Sequence, residues 1–529
     1  MSQRQRKVDY WHDAPMPREQ LVLFEETLES RIPDGHPVRV VDEILSRLDW
    51  AEWEAESHGR LGQPPIHPSV MCKVLLFAMI RRIRSCRQIE YNLRHSIDFI
   101  WLAAGRTIDH STLSEFRRKH PKQLKNIYRQ MVQLAIDLGV AKLAELCIDG
   151  SRVLANASRY KTLTAEKTER LLVTLGEQID KAMAELDAND CMDELFDDGE
   201  SSERLPSELQ DLKARQEKLQ AALEYLQDKD KYRKSRGKKS PAQLPITDQD
   251  SRVLPNKEGG FAPNYTPMVV TEIENGFIVG ADVLIGAVEH TVMTTMLDTV
   301  ECDFGERPET LMADAAYSAG QNLIAMESRE QELLSPIIYE DAADSPARRE
   351  DLTQPVAEQN LDRLPISAAT KCFDMQAFIY VEQTDCFYCP AGKPLLRAET
   401  KIIQRLGGPV EQFIYRCSHC DDCTLAVRCR KNSASIRGRT VQRNGFESVR
   451  RRHHHRMQHP TAEARYKRRL YFGETPFAVL KSALDLRRFS VRGIAGVQQE
   501  WLWGCTAFNL KKLCGMWAGL RVKQVSVAN

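Results

Sequence analysis

The sequence predicts a multidomain α/β chain: an all-helical N-terminal domain, then a core of short apolar strands interrupted by a helical hairpin and by a cysteine-bearing insertion. Three observations carry this expectation. Apolar residues recur at three- and four-residue spacing up to about residue 120, short β-branched segments beyond residue 145 carry or end in single acids, and leucines at coiled-coil spacing and a cluster of cysteines break those segments apart. The chain has 529 residues, with 74 Lys+Arg against 74 Asp+Glu, 42% hydrophobic and 28% charged. That composition excludes a wholly disordered, collagen-like or membrane-channel protein, and the length suits about three or four domains. The first residues, Met1 to Lys7, form no apolar signal segment, and the apolar run from Val74 to Ile80 is far shorter than the roughly 18 residues of a membrane span. A cytoplasmic location is expected.

From Pro17 to His120 the pattern is helical. Leu21, Phe24 and Leu28, then Val38, Val41, Ile44, Leu45 and Leu48, mark a buried helix face, and a helix over 69–82 carries Val70, Val74, Leu75 and Ala78. Ser85 is expected to cap a helix over 87–94. Thr112 with Glu115 reads as a capping box opening a helix that ends in Arg117, Arg118 and Lys119. Two short helices before a basic one resemble a helix-turn-helix arrangement, with Arg117 and Arg118 placed for DNA phosphate. Residues 145–157 read as a buried strand carrying Asp149 and bending at Gly150. Between 162 and 230 the leucines at 209, 212, 219, 223 and 226 give the seam of an antiparallel helical hairpin, interrupted by Pro206. A basic run from Lys231 to Lys239 leads out of it. Met268 to Glu272 and Gly276 to Leu284 form two strands around the turn signal Glu274-Asn275-Gly276. A helical segment over 291–300 precedes the apolar strand Thr310-Leu311-Met312-Ala313, which ends at Asp314. From Pro476 the chain returns to helix, and 497–517 is a final helix rich in Trp and Leu, in which Trp501 and Trp503 are core residues.

Charge and cysteine are both unevenly placed. Residues 161–230 hold 9 Lys/Arg and 19 Asp/Glu, whereas 428–470 hold 14 and 2, a density that also neutralises phosphate backbones. His453, His454, His455 and His459, set among arginines, read as a DNA-facing loop. Six of the 14 cysteines fall between Cys386 and Cys429. In a reducing compartment two Cys-x-x-Cys units point to a structural Zn²⁺ in a ribbon-like insertion: Cys386 and Cys389 supply one half and two of Cys417, Cys420 and Cys423 the other.

Asp149 and Asp314 both stand at or near the ends of apolar strands. Paired carboxylates joined by a helix-borne glutamate repel one another until hard divalent cations, Mg²⁺ or Mn²⁺, bind between them. Two such ions can drive in-line phosphodiester displacement. Several segments then resemble a known family, in its order along the chain. His67-Pro68-Ser69-Val70 through Arg82, Ser85-Cys86-Arg87-Gln88-Ile89-Glu90, Trp101-Leu102 and His110 to Arg117 resemble the N-terminal helical domain of bacterial insertion-sequence transposases. Ile148-Asp149-Gly150-Ser151, Ala313-Asp314-Ala315-Ala316-Tyr317, Glu474 to Lys481, Arg487-Arg488-Phe489 and Arg492-Gly493 resemble their DDE catalytic domain.

The resemblance implies an RNase H-like core in which Asp149, Asp314 and Glu474 hold two Mg²⁺ or Mn²⁺ ions. It implies cleavage of double-stranded DNA at the element's terminal inverted repeats and strand transfer into target DNA, by a homodimer associated with the nucleoid when bound. Lys481, Arg487, Arg488 and Arg492 would contact phosphate. The family's signature of Tyr, Arg, Glu and Lys corresponds to Tyr466, Arg469, Glu474 and Lys481, with one departure: Leu470 stands where the pattern puts the arginine, and Tyr466 and Arg469 sit one residue early. The expected domains are 1–140, helical and DNA-binding; 141–160 and 245–335, the first parts of the core; 161–244, the helical insertion; 336–455, the cysteine-bearing insertion and basic tract; and 456–529, the C-terminal part of the core. The competing readings are a domesticated, non-catalytic DNA-binding protein and a structure-selective nuclease.

Overall fold

The computed structural model describes residues 27–57, 66–193, 207–235, 237–238, 240–256, 259–337, 345–367, 370–405, 408–431 and 438–527. The N-terminal stretch with Pro17, Leu21 and Phe24, and also Pro206, lie outside the described residues, as does the side chain of Leu209. Contacts divide the chain into two compact units, one of residues 1–78 and 83–116 and one of 79–82 and 117–529. Among the described residues no helix is long and apolar enough to cross a membrane.

The first unit is all helical. Helices α1 (Pro37–Ser46), α2 (Ala51–Ser57), α3 (Pro68–Ile80), α4 (Cys86–His95), α5 (Ile97–Leu102) and α6 (His110–Lys119) begin in it. Pro37 opens α1 while the His36 ring accepts the Val38 N–H, satisfying a donor the helix cannot. In α3, Val74, Leu75, Leu76, Phe77 and Ala78 are all buried, so this helix is apolar around its circumference and forms the centre of the unit. Phe77 packs on Phe99 with ring centroids 5.1 Å apart, and Trp53 stacks on Phe116 at 5.0 Å. Ser85 holds the expected cap position of α4. For α6 the expectation is corrected: Asp109, not Thr112, caps the helix, accepting the N–H groups of Ser111 and Thr112 at 2.8 and 3.0 Å. A carboxylate accepts two donors there, where a threonine hydroxyl serves one.

The second unit is built on a mixed sheet. Its main strands are β1 (Glu145–Gly150), β2 (Phe261–Glu272), β3 (Ile278–Leu284), β4 (Thr310–Met312) and β5 (Glu332–Leu334). Their spatial order is β3-β2-β1-β4-β5, with β2 antiparallel to its neighbours and β1, β4 and β5 parallel. Strand β1 is central and apolar on both faces, as a strand covered on both sides must be. The β2–β3 hairpin turns where expected. The buried Glu272 carboxylate accepts the Glu274, Asn275 and Phe277 N–H groups at 2.8, 3.0 and 2.8 Å, and Gly276 takes a φ of +78° that other residues rarely adopt.

Helices α7 (Pro121–Asp137) and α10 (Met293–Phe304) pack on β3 together with the long C-terminal helix α15 (Ile494–Val527). The Tyr128 hydroxyl donates to the Ile278 carbonyl at 2.7 Å, and the buried Asn509 bonds both the N–H and the C=O of Ile278. Helix α7 therefore belongs to the core, and the boundary expected at residue 140 lies instead at 116. Its apolar face, with Leu124, Ile127, Met131 and Val132, is buried against the core, a partner the helical spacing alone does not identify. Trp501 and Trp503 are buried, as expected, and the Trp501 indole donates to the Met268 carbonyl at 3.1 Å.

Two insertions interrupt the core. Helices α8 (Ala165–Asp193) and α9 (Ser207–Ser235) form the expected antiparallel hairpin, with Leu175 and Ile179 packed against Leu219, Ala222 and Leu226. Beyond α11 (Gly320–Ser328) and β5, a five-stranded antiparallel meander runs β6 (Ile379–Val381), β7 (Cys386–Tyr388), β8 (Pro394–Arg405), β9 (Gly408–Cys417) and β10 (Thr440–Asn444). The basic tract after it is helical: α12 (Glu447–Met457) and α13 (Pro460–Tyr466) precede α14 (Arg469–Ser482). His453, His454 and His455 thus lie on α12 rather than in a loop, and His453 is buried with Nε2 2.7 Å from the Ser335 carbonyl. Helix α14 begins seven residues before Pro476 and carries that proline inside it. Proline removes one backbone donor and marks no start here, because the preceding residues already pack on β1 and β2.

Candidate active site

Asp149 and Asp314 are brought to one edge of the sheet by register. Cys147 of β1 stands opposite Met312 of β4 in parallel pairing, so the acids two residues further on emerge side by side at the carboxyl ends of adjacent strands. Asp149 is 8% exposed. A carboxylate that deep needs a counter-charge, and Arg469 provides it, Nη2 lying 3.0 Å from Oδ2, while the Gly150 N–H donates to Oδ1 at 2.9 Å. Asp314 is half-buried beyond the end of β4, where it accepts the Ala316 N–H at 2.8 Å and caps the single turn Ala315–Tyr317. The Ser335 hydroxyl donates to its carbonyl at 2.5 Å.

Tyr466 and Arg469 reach the same place despite their one-residue offset. Tyr466 ends α13 and Arg469 begins α14, with a two-residue turn between them. Burial raises the Tyr466 phenol above its ordinary range, with Arg469 and Asp314 both close enough to act on it. Burial also works against the Arg469 charge, but Asp149 and the neighbouring acidic groups hold its pKa above the usual value.

Glu474 lies on α14 and is exposed. The helix includes both Glu474 and Lys481, seven residues or roughly 700° apart, so the two share a face. The Lys481 ammonium donates to Ser151 Oγ and to the Arg152 carbonyl, each at 2.7 Å, just past Asp149. One residue before Glu474, a Cβ added at Gly473 would stand 3.0 Å from Asp149 Oδ2. The backbone of α14 therefore approaches the first acid closely. Among the described residues, no three His, Cys, Asp or Glu side chains stand together in a ready metal-holding group. The available donors are carboxylate oxygens, the chemistry that Mg²⁺ and Mn²⁺ select.

Arg487, Arg488 and Arg492 are exposed beyond the end of this edge. Their segment is fixed by backbone pairing with Leu154 and by the Arg492 guanidinium, which donates to the Asn156 carbonyl at 3.0 Å. Arg117 and Arg118 close α6, with Arg118 exposed.

The structure adds three residues that sequence spacing did not single out. Arg152 pairs with Glu289 at 2.9 Å, and Tyr317 is fully buried beside Asp314. Burial raises the Glu289 pKa, and the charges of Asp149 and Asp314 raise it further. A lone glutamate in Ala287-Val288-Glu289-His290 has no periodic or motif signal to betray it.

The cysteines divide differently from the expected set. Cys389, Cys417, Cys420, Cys423 and Cys429 line one small cavity of about 20 Å³ at the end of the meander. Cys386 is absent from that lining: its thiol lies 3.1 Å from the Thr384 hydroxyl. The correction follows from strand geometry, because Cys386 lies within β7 whereas Cys389 lies in the turn after it. The Lys393 N–H points at Cys389 Sγ at 3.3 Å and the Arg439 N–H at Cys420 Sγ at 3.5 Å. Burial pushes the Cys417 and Cys429 thiols up to about 12.

The described architecture is a helical unit followed by an α/β core with two acids at the ends of adjacent strands, and comparison with known families says what it is similar to. Residues 26–119 match the family model described as Transposase domain (DUF772), and residues 388–514 match Transposase DDE domain. The first match spans α1 to α6; the second runs from the meander through Glu474 and Lys481 and stops short of Asp149 and Asp314. Both are transposase domains, and together they support an insertion-sequence DDE transposase. No curated protein matches it.

Proposed function

We propose that the chain binds the terminal inverted repeats of an insertion sequence, cuts DNA there with two divalent cations and joins the freed ends to target DNA. The observation that carries this is the register-set pairing of Asp149 and Asp314 at the carboxyl ends of neighbouring parallel strands, in a β3-β2-β1-β4-β5 sheet. That strand order also supports an RNase H-like core. Asp149, Asp314 and Glu474 would hold the ions, which when bound supply a nucleophile at neutral pH and charge stabilisation at phosphorus. Arg469 pairs with Asp149 and orients its carboxylate. Lys481 is placed to exchange its contacts with Ser151 and Arg152 for a phosphate oxygen. The exposed Arg487, Arg488 and Arg492, with Arg117 and Arg118, would grip the DNA backbone without reading bases.

Labelled duplexes carrying the element's own ends test this. In Mg²⁺ the protein is expected to release cut ends and yield joined products, and in EDTA neither. Binding without cutting in Mg²⁺ or Mn²⁺ would favour a non-catalytic DNA-binding protein, and cutting without joining a nuclease.

The thiol-lined cavity supports a structural Zn²⁺ held by Cys389 and Cys429 with partners from Cys417, Cys420 and Cys423. Zinc takes thiolate ligands and displaces their protons on binding. Metal analysis of the purified protein should find about one zinc per chain, retained in Cys386→Ser and lost in Cys389→Ser. A zinc-free parent contradicts the site.

A further inference from the structure

Glu289 stands where no sequence pattern placed a functional acid. It opens the 3₁₀ turn Glu289–Val292 between β3 and α10, with a side chain only 16% exposed. Its carboxylate lies against the backbone that follows Asp149: a Cβ built on Gly150 would come within 2.7 Å of Glu289 Oε2 and 2.6 Å of Met268 Sδ. Only glycine at 150 lets this acid come so near the first one. Glu289 therefore lies against the residue that follows Asp149, on the same edge of the sheet. Arg152, which also donates to the Thr266 hydroxyl, is the counter-charge at Glu289.

A second observation comes from Tyr317. It is fully buried, its hydroxyl has no hydrogen-bond partner among the described residues, and Glu289, Asp149, Asp314 and Arg469 are charged groups near enough to act on it. A buried hydroxyl without a partner calls for an explanation, and a site built to receive a further group supplies one. Arg469 Nε, on the other side of Asp149, is likewise buried without a partner.

We propose that Glu289 is a fourth carboxylate of the divalent-metal site, exchanging Arg152 for a cation on metal binding. The inference rests on the transposase reading, in which Asp149 and Asp314 hold the metal. It assigns to this chain a ligand that the Asp-Asp-Glu pattern does not contain, and gives Gly150 a reason: any side chain there would drive Glu289 from the site.

The test is a titration of the full-length protein with Mn²⁺, bound ion being read from the loss of the free-ion electron paramagnetic resonance signal. Parent, Asp149→Asn, Glu289→Gln and Arg152→Gln are compared, each checked for an intact thermal transition. Glu289→Gln is expected to weaken Mn²⁺ binding at least tenfold. Arg152→Gln, which frees Glu289, is expected to tighten it severalfold, and that variant decides the matter should Glu289→Gln not fold. Unchanged binding in both, with binding lost in Asp149→Asn, overturns the inference and leaves Glu289 as an ion-pair partner within an intact metal site. Parent-like binding in Asp149→Asn as well overturns the metal site, and with it the transposase mechanism.

Discussion

Asp149 and Arg469 form a pair in which each residue makes the other tolerable. Their side chains are 12% and 14% exposed, so removing the arginine alone strands a buried carboxylate. Arg469→Met is expected to lower unfolding free energy by about 3 kcal/mol in urea titration, and Arg469→Met with Asp149→Asn to recover most of that loss. Equal destabilisation in single and double variants would show that the pair contributes nothing through its charge. A second residue-scale consequence concerns His453. With Nε2–H donating to the Ser335 carbonyl, Nδ1 is buried without a partner, and burial lowers the pKa from its ordinary 6.5. The unfolded chain then binds a proton that the folded one refuses, so stability is present above about pH 6.5 and falls as pH drops through that value. Melting temperature measured from pH 7.5 to 5 should decline in the parent and decline less in His453→Phe. At this scale the sequence names the two aspartates, because a lone acid in an apolar strand is conspicuous. It is silent on Glu289, Arg152 and Tyr317, whose surroundings are unremarkable and whose meeting is made by tertiary structure.

At the scale of elements, α14 is the decisive piece. Its glycine at 473 lets the helix backbone sit against Asp149, and a Cβ there must displace the carboxylate or the helix by a few tenths of an ångström. Gly473→Ala is expected to reduce cleavage at least tenfold while changing thermal stability little, since alanine favours helix. Unchanged cleavage would separate the helix from the chemistry. The helix itself was only partly readable from sequence: Pro476 looks like a first turn, yet packing on β1 and β2 extends the helix back to Arg469. The pairing of α8 and α9 was legible because its seam is local, with Leu212, Leu219 and Leu226 packed in it. The cavity of the meander was less legible, since Cys386 within β7 is absent from its lining while Cys429, outside any Cys-x-x-Cys unit, is part of it.

At the scale of the whole molecule, the mixed α/β class followed from sequence, and the place of α7 did not. Helix α7 has the amphipathic spacing of the helices before it, and only its packing against β3 and α15 shows that it belongs to the second unit. The central claim is that one edge of the β3-β2-β1-β4-β5 sheet is a phosphodiester-transfer site, and Asp314→Asn tests it most directly. That change keeps the shape of the side chain and its bond to Ala316 while removing the charge that a cation needs. With the element's own ends and Mg²⁺, the variant is expected to bind DNA as the parent does while cleavage and joining both fall at least a hundredfold. Parental rates of cutting and joining in Asp314→Asn would contradict the account.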